Sequence, residues 1–181
     1  ELILNKRKSI QKKQTSVVKK IISNVKKNGD KALIKYEKKF SKIKIKSAKI
    51  IFSKKEINEI AKKTNNKIQN SIDLALSRIK KFHSKQKFIS INLKEKYKNE
   101  VSYKYSPIER VGVYVPGGTA SYPSTVLMNC IPAMIAGVKN IYLATPSLGT
   151  QINPAIIYAA KKCGVKKIYR VGGAHAIAAL A

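Results

Sequence analysis

Few side chains in this 181-residue sequence could do chemistry: two histidines, His83 and His175, two cysteines, Cys130 and Cys163, and the glycine turns PGGTA (116–120) and GGAHA (172–176). Imidazoles move protons or bind metal, thiolates attack or ligate, and glycine turns let backbone N–H groups approach an anion. The cysteines fall in no ligand or redox spacing, so both read as core thiols of a reducing compartment. His83 follows an apolar helical strip and reads as an end-of-helix histidine favoured by the carbonyl dipole. His175 has no second metal-binding side chain at ligand spacing, which argues against a metal there. The turns say more, because each follows a β-like run and precedes a helical one. Neither spells G-x-G-x-x-G, and the strand between them ends in Thr145-Pro146 rather than in the acidic residue that binds a ribose hydroxyl. A nucleotide or phosphate site and a plain tight connection both fit.

The elements that hold these turns alternate. Val111, Val113 and Val115 bracket Gly112 and Tyr114 in a strand, and PGGTA breaks it. Ser124 and Thr125 offer cap oxygens to a helix carrying Val126, Leu127, Ile131, Met134 and Ile135, which Gly137 stops. Residues 140–145 (NIYLAT) form a second strand; Asn153-Pro154 caps a helix that Gly164 ends; residues 168–171 form a third strand leading into GGAHA and another helix. Strands and helices in short alternation imply parallel pairing with right-handed crossovers. The turns PGGTA, TPS and GGAHA then share the carboxyl edge, where open α/β sheets hold ligands.

Ahead of residue 84 the sequence reads as helices. Val17, Val18, Ile21, Ile22 and Val25 form a stripe that Asn28-Gly29 ends, and Asp30 caps a second helix carrying Ala32, Leu33, Tyr36 and Phe40. Ile43 and Ile45, then Ile50 to Phe52, are candidate strand pieces, and SKKE at 53–56 matches a capping box. The longest helix starts at Asn65 or Asn66 and carries Ile68, Ile72, Leu76, Ile79 and Phe82. Residues 84–109 alternate apolar and polar positions and read as a strand-bearing connector. The division falls near Pro107: a lysine-rich helical arm and connector at 1–106 and a Rossmann-like α/β unit at 107–181, cut off before completion. The fold class is α/β, an N-terminal helical segment followed by an incomplete Rossmann-like parallel β-α-β-α-β unit.

The formal net charge is +29, and residues 1–110 hold all 9 acidic and 32 of the 38 basic residues. Such an excess ordinarily suggests a polyanion partner. Lysine outnumbers arginine 34 to 4, however, and arginine is the residue that reads phosphates and bases bidentately. A solvated lysine surface is the expectation, with no specific nucleic acid as partner. No apolar run reaches the roughly 18 residues of a membrane span, and no secretory signal is evident. The first residue is Glu1 rather than methionine, so a start upstream is expected.

RVGVYVPGGTA, STVLM, IPAMIAGVKNIYLATPS, CGV and RVGGAHAIAALA, in this order and spacing, resemble the amino-terminal part of histidinol dehydrogenase, and VKKNGDKALIKYEKKF and FHSKQ extend the resemblance upstream. The resemblance implies a cytoplasmic, homodimeric enzyme that oxidises L-histidinol to L-histidine in two NAD-dependent steps with zinc, here as an N-terminal fragment. It implies that Tyr114, the tyrosine of VYVPGG, lies against the NAD. His175 stands where the family has glutamine in GGAQA, so the second NAD contact is altered, weakened or lost. The zinc ligands and the acid/base pair are expected beyond residue 181, and no catalytic or metal residue is named within the chain. A basic nucleic-acid-binding protein and a non-catalytic remnant of the enzyme are the alternatives.

Overall fold

The computed structural model describes residues 2–41, 46–86, 88–97, 99–117, 122–147 and 152–181. The candidate strand positions Ile43 and Ile45, and the turn residue Gly118, lie outside them. The class is α/β, as the sequence leads one to expect. Strands β3 (Arg110–Tyr114), β4 (Asn140–Ala144) and β5 (Lys167–Tyr169) form a parallel sheet in the order β3-β4-β5. Helices α4 (Pro123–Ile135) and α5 (Pro154–Lys162) make the crossovers, and α6 (Gly173–Leu180) follows β5.

Strand alternation assigns the two faces of this sheet. Val113, Leu143 and Ile168 pair in one row and are buried with Leu127, Ile131 and Ile157 of the crossover helices. Ala144 faces the other way and is buried with Val171 and Ala176, beside Tyr114 and Leu180. Helix α6 therefore covers the face opposite α4 and α5. It is backed by α1 (Leu2–Tyr36), whose Ile21, Val25, Ala32, Leu33 and Tyr36 are buried against Ala174 and Ala178. The backbone of α1 breaks at Gly29, at φ 50° and ψ −132°, a conformation that glycine adopts without Cβ strain. Helix α1 runs into a π-helical turn at Glu37–Ser41.

Helices α2 (Lys54–Lys62) and α3 (Asn66–His83) pack on α5 and α4, and the apolar core runs across Pro107, joining Phe52, Ala61 and Ile72 to Val113 and Leu143. The Ser53–Glu56 capping box forms, and Asn65 and Asn153 cap α3 and α5 as expected. Ser124 and Thr125 do not cap α4. Pro123 starts that helix one residue earlier, because its fixed φ suits the first turn, and Tyr122 precedes it without a side-chain bond. Residues 84–109 contain an antiparallel hairpin, β1 (Ile91–Lys94) with β2 (Glu100–Tyr103), exposed along its length.

Residues 50–52 add an antiparallel edge to β5. Phe52 N–H donates to the Ile168 carbonyl at 3.0 Å and Arg170 N–H to the Ile50 carbonyl at 2.8 Å. Arg170 then lies 3.7 Å above the Phe52 ring and donates to Glu56 Oε1 at 2.8 Å. The Ser53 backbone N–H and Arg170 hold the Glu56 carboxyl at about 2, below its ordinary 4.5. A depressed carboxyl stabilises above its unfolded value and loses that contribution as pH falls toward its folded value, here between 4.5 and about 2. Because the side chain is nearly half exposed, Glu56→Gln should cost only about 1 kcal/mol at pH 7. Denaturation midpoints at pH 7 and pH 3 should show that cost falling by at least about half; an equal cost at both would mean the carboxylate charge is irrelevant.

Candidate functional site

The turns after β3, β4 and β5 converge on one proline. A Cβ added to Gly117 would stand 2.5 Å from Pro146 Cγ, and one added to Gly172 would stand 2.5 Å from Pro146 Cβ. Side chains larger than hydrogen are excluded on both flanks of the middle turn, so these glycines let the outer turns close on it. Backbone bonds tighten the same edge: Val115 N–H donates to the Ala144 carbonyl at 2.9 Å and Thr145 N–H to the Tyr169 carbonyl at 3.0 Å. Gly117 and Gly172 thus lie at one edge of a parallel sheet.

Tyr114, the last residue of β3, reaches across this edge. Its hydroxyl accepts a bond from Gly173 N–H at 3.0 Å, tying the first turn to the third. A phenol that accepts through oxygen keeps its own proton to donate. The residue is half-buried, with ring support from the sheet face that carries Ala144, Val171 and Ala176.

His175 lies on the first turn of α6 and is 1 % exposed. Its Nε2 is 2.9 Å from Glu37 Oε1, and its ring packs beside the stacked pair Tyr36 and Phe40 at centroid distances of 5.6 and 6.0 Å. The same Glu37 oxygen accepts from Gly172 N–H at 2.7 Å. Burial pushes the Glu37 carboxyl up, but the bonds from His175 and Gly172 outweigh it and hold it below the usual range. The carboxylate occupies the positive end of α6, where exposed N–H groups favour an anion. The candidate residues Tyr114 and His175 therefore meet through adjacent glycines, Gly173 and Gly172, and not through each other.

Glu37 carries no signature in the turn motifs. The signal that could have found it is an acid in the stripe of the second helix, beside Tyr36 and one helical turn after Leu33, in a chain with only 9 acidic residues. The local pattern cannot show what such an acid reaches.

Two polar atoms at this edge are left without a partner. Thr145 Oγ1 and His175 Nδ1 are buried and have no hydrogen-bond partner among the described residues, and unpaired buried polar atoms are uncommon unless something completes them. A metal does not fit here: among the described residues no three His, Cys, Asp or Glu side chains gather to hold one. His83 ends α3 with Nδ1 2.6 Å from Gln86 Oε1. Cys130 and Cys163 are both buried free thiols, and contact with Cys163 together with burial pushes the Cys130 thiol up, leaving it protonated and inert.

A family model described as histidinol dehydrogenase matches residues 4–181. The histidinol dehydrogenase of Pelagibacter ubique is 52 % identical over 182 residues, covering 100 % of this chain and 41 % of that protein. That of Carboxydothermus hydrogenoformans is 42 % identical over 190 residues, covering 100 % of this chain and 45 % of its own length. The crystal structure of histidinol dehydrogenase from Elizabethkingia anophelis superposes with a TM-score of 0.84 at 40 % identity, over 91 % of this chain and 38 % of that one. The chain spans about two fifths of the length of the curated relatives it matches.

Proposed function

The chain belongs to the histidinol dehydrogenase family, and from that premise we propose that it forms the NAD-facing part of an enzyme that oxidises L-histidinol to L-histidine. One observation carries this reading: the Tyr114 hydroxyl is fixed by Gly173 N–H at the carboxyl edge of three parallel strands, with its proton free to donate. Helix α6 leaves β5 on the face opposite the crossovers and runs under β3. A change of face of this kind opens the ligand crevice of α/β sheets beside the strand it returns to, and Tyr114 is the last residue of that strand.

When bound, NAD would accept a hydride at each of two steps, alcohol to aldehyde and hydrated aldehyde to acid, so two NAD are reduced per L-histidine formed. This chain's contribution is to bind and orient. Tyr114 would donate to an acceptor oxygen of the cofactor, the unpaired Thr145 Oγ1 and His175 Nδ1 would be its further polar partners, and Pro146 would hold the turns at fixed separation. Among the described residues no three His, Cys, Asp or Glu side chains gather to hold zinc; its ligands and the acid/base pair belong, in this proposal, to sequence beyond residue 181. The division near Pro107 is part of the proposal: 107–181 carries the cofactor turns and 1–106 the arm that braces them. A homodimer and a cytoplasmic setting are proposed from the family alone; no helix among the described residues is long and apolar enough to cross a membrane.

NAD titration of the full-length protein tests the reading. Wild type should saturate, and Tyr114→Phe should bind roughly two- to tenfold more weakly, the loss of one neutral hydrogen bond. Saturable binding without turnover of L-histidinol would favour a non-catalytic remnant of the enzyme. No saturable binding by wild type would sink the cofactor reading.

A further inference from the structure

We propose that Glu37 is a positioning residue for the cofactor turn: its buried carboxylate holds Gly172 N–H and His175 Nε2 together and so fixes the turn whose next N–H, that of Gly173, holds the Tyr114 hydroxyl. The inference rests on the NAD reading above and deepens it. Glu37 comes from the end of α1, more than a hundred residues away in sequence, and is 1 % exposed. A buried carboxylate persists only where donors reach it, and here Oε1 takes both donors of the turn, at 2.7 and 2.9 Å, while Oε2 has no hydrogen-bond partner among the described residues. The π-helical turn that begins at Glu37 widens the end of α1 just where the carboxylate must reach α6.

The bond has a second effect, on the imidazole. With Nε2 engaged by Glu37 and the ring packed beside the stacked Tyr36 and Phe40, His175 has only Nδ1 left for any other partner. In the neutral tautomer that donates Nε2–H to the carboxylate, Nδ1 is an acceptor. The pair thus decides both where the turn sits and what hydrogen-bond character its side chain offers. It also neutralises the positive end of α6, so a cofactor phosphate would gain little from that helix terminus, and orientation falls to Tyr114.

Steady-state kinetics of the full-length protein separate positioning from general stability. Glu37→Ala should raise KM for NAD by at least about fivefold while KM for L-histidinol stays within about twofold, because a turn displaced by a fraction of an ångström is felt by the ligand it orients. Glu37→Gln, whose amide oxygen can still accept from Gly172 N–H, should recover at least about half of that change on a logarithmic scale. Nitrogen-15 spectra of the histidine rings, assigned with His175→Gln, read the clamp without any cofactor: wild type should show a protonated Nε2 that shifts in Glu37→Gln. An unchanged KM for NAD in Glu37→Ala, parallel rises in both KM values, or no shift of the His175 signal in Glu37→Gln would each overturn the proposal. Wild type that shows the clamp signal yet binds no NAD would overturn the cofactor reading instead, and this positioning role with it.

Discussion

Gly172→Ala is expected to destabilise the protein by about 2–3 kcal/mol, the upper part of the range for an extra methyl forced into a filled site, and to weaken NAD binding by about tenfold or more. The added Cβ would lie 2.5 Å from Pro146 Cβ, 3.0 Å from its Cγ and 3.4 Å from its Cα. None of these is the far end of a flexible side chain: they belong to a proline ring and to backbone, so relief requires one turn to move away from another. Gly172 is in extended backbone, at φ −130°, which alanine tolerates, so the cost arises from the collision and not from the dihedral. Movement of the third turn would stretch the bond from Gly172 N–H to Glu37 and the bond from Gly173 N–H to Tyr114. Opening space opposite should help: Gly172→Ala with Pro146→Gly is expected to regain part of both losses relative to the sum of the single changes, as neighbouring sites couple. Unchanged denaturation midpoint and NAD affinity in Gly172→Ala would mean that the turns are not closed on Pro146.

What the sequence shows of this arrangement depends on how local the determining contact is. The β-α-β-α-β order is legible because each element carries its own signals: valines alternating through β3, Asn153-Pro154 opening α5, glycines after α4 and α5 at φ 91° and 63°. The Ser53–Glu56 box is local too, and it forms. Residues 50–52 read as strand, but their partner and direction do not, since those are set by Ile168 and Arg170 far along the chain. Periodicity finds a stripe without finding its cover: of the stripe in α3, Ile72 is buried while Ile68 and Phe82 stand exposed at its ends.

The site divides in the same way. Tyr114 and His175 are visible because they sit inside glycine motifs that resemble a family. Glu37 also lies inside a run that resembles the family, VKKNGDKALIKYEKKF, but outside the glycine turns. Its place in the stripe beside Tyr36 marks it as an unusual acid but not what it reaches, since its two bonds span more than 130 residues and depend on α1 lying along α6. The glycine turns also mean something different in three dimensions. In the sequence, Gly117 and Gly172 fit either backbone left bare for a ligand or a plain tight connection; in the fold, both face Pro146, and closeness between turns accounts for them.

Leu143→Ala should be the most destabilising single change in the core, by about 3–5 kcal/mol, the range for leucine truncated where surroundings cannot collapse. Leu143 is fully buried in the central strand, with Val113 opposite it on one side and Ile168 on the other, and no exposed neighbour in that row. A void there has sheet on two sides and crossover helices above, so few atoms can relax into it. Leu93→Ala in the β1–β2 hairpin removes the same atoms from a side chain that is 60 % exposed, and should cost no more than about 0.5 kcal/mol. Both leucines sit in β-like apolar runs, and local sequence does not rank them; the fold does. Chemical denaturation of the two variants beside wild type therefore tests the architecture. A Leu143→Ala cost no larger than that of Leu93→Ala would place β4 outside the core, and the parallel sheet that carries Tyr114 and the three turns would fall with it.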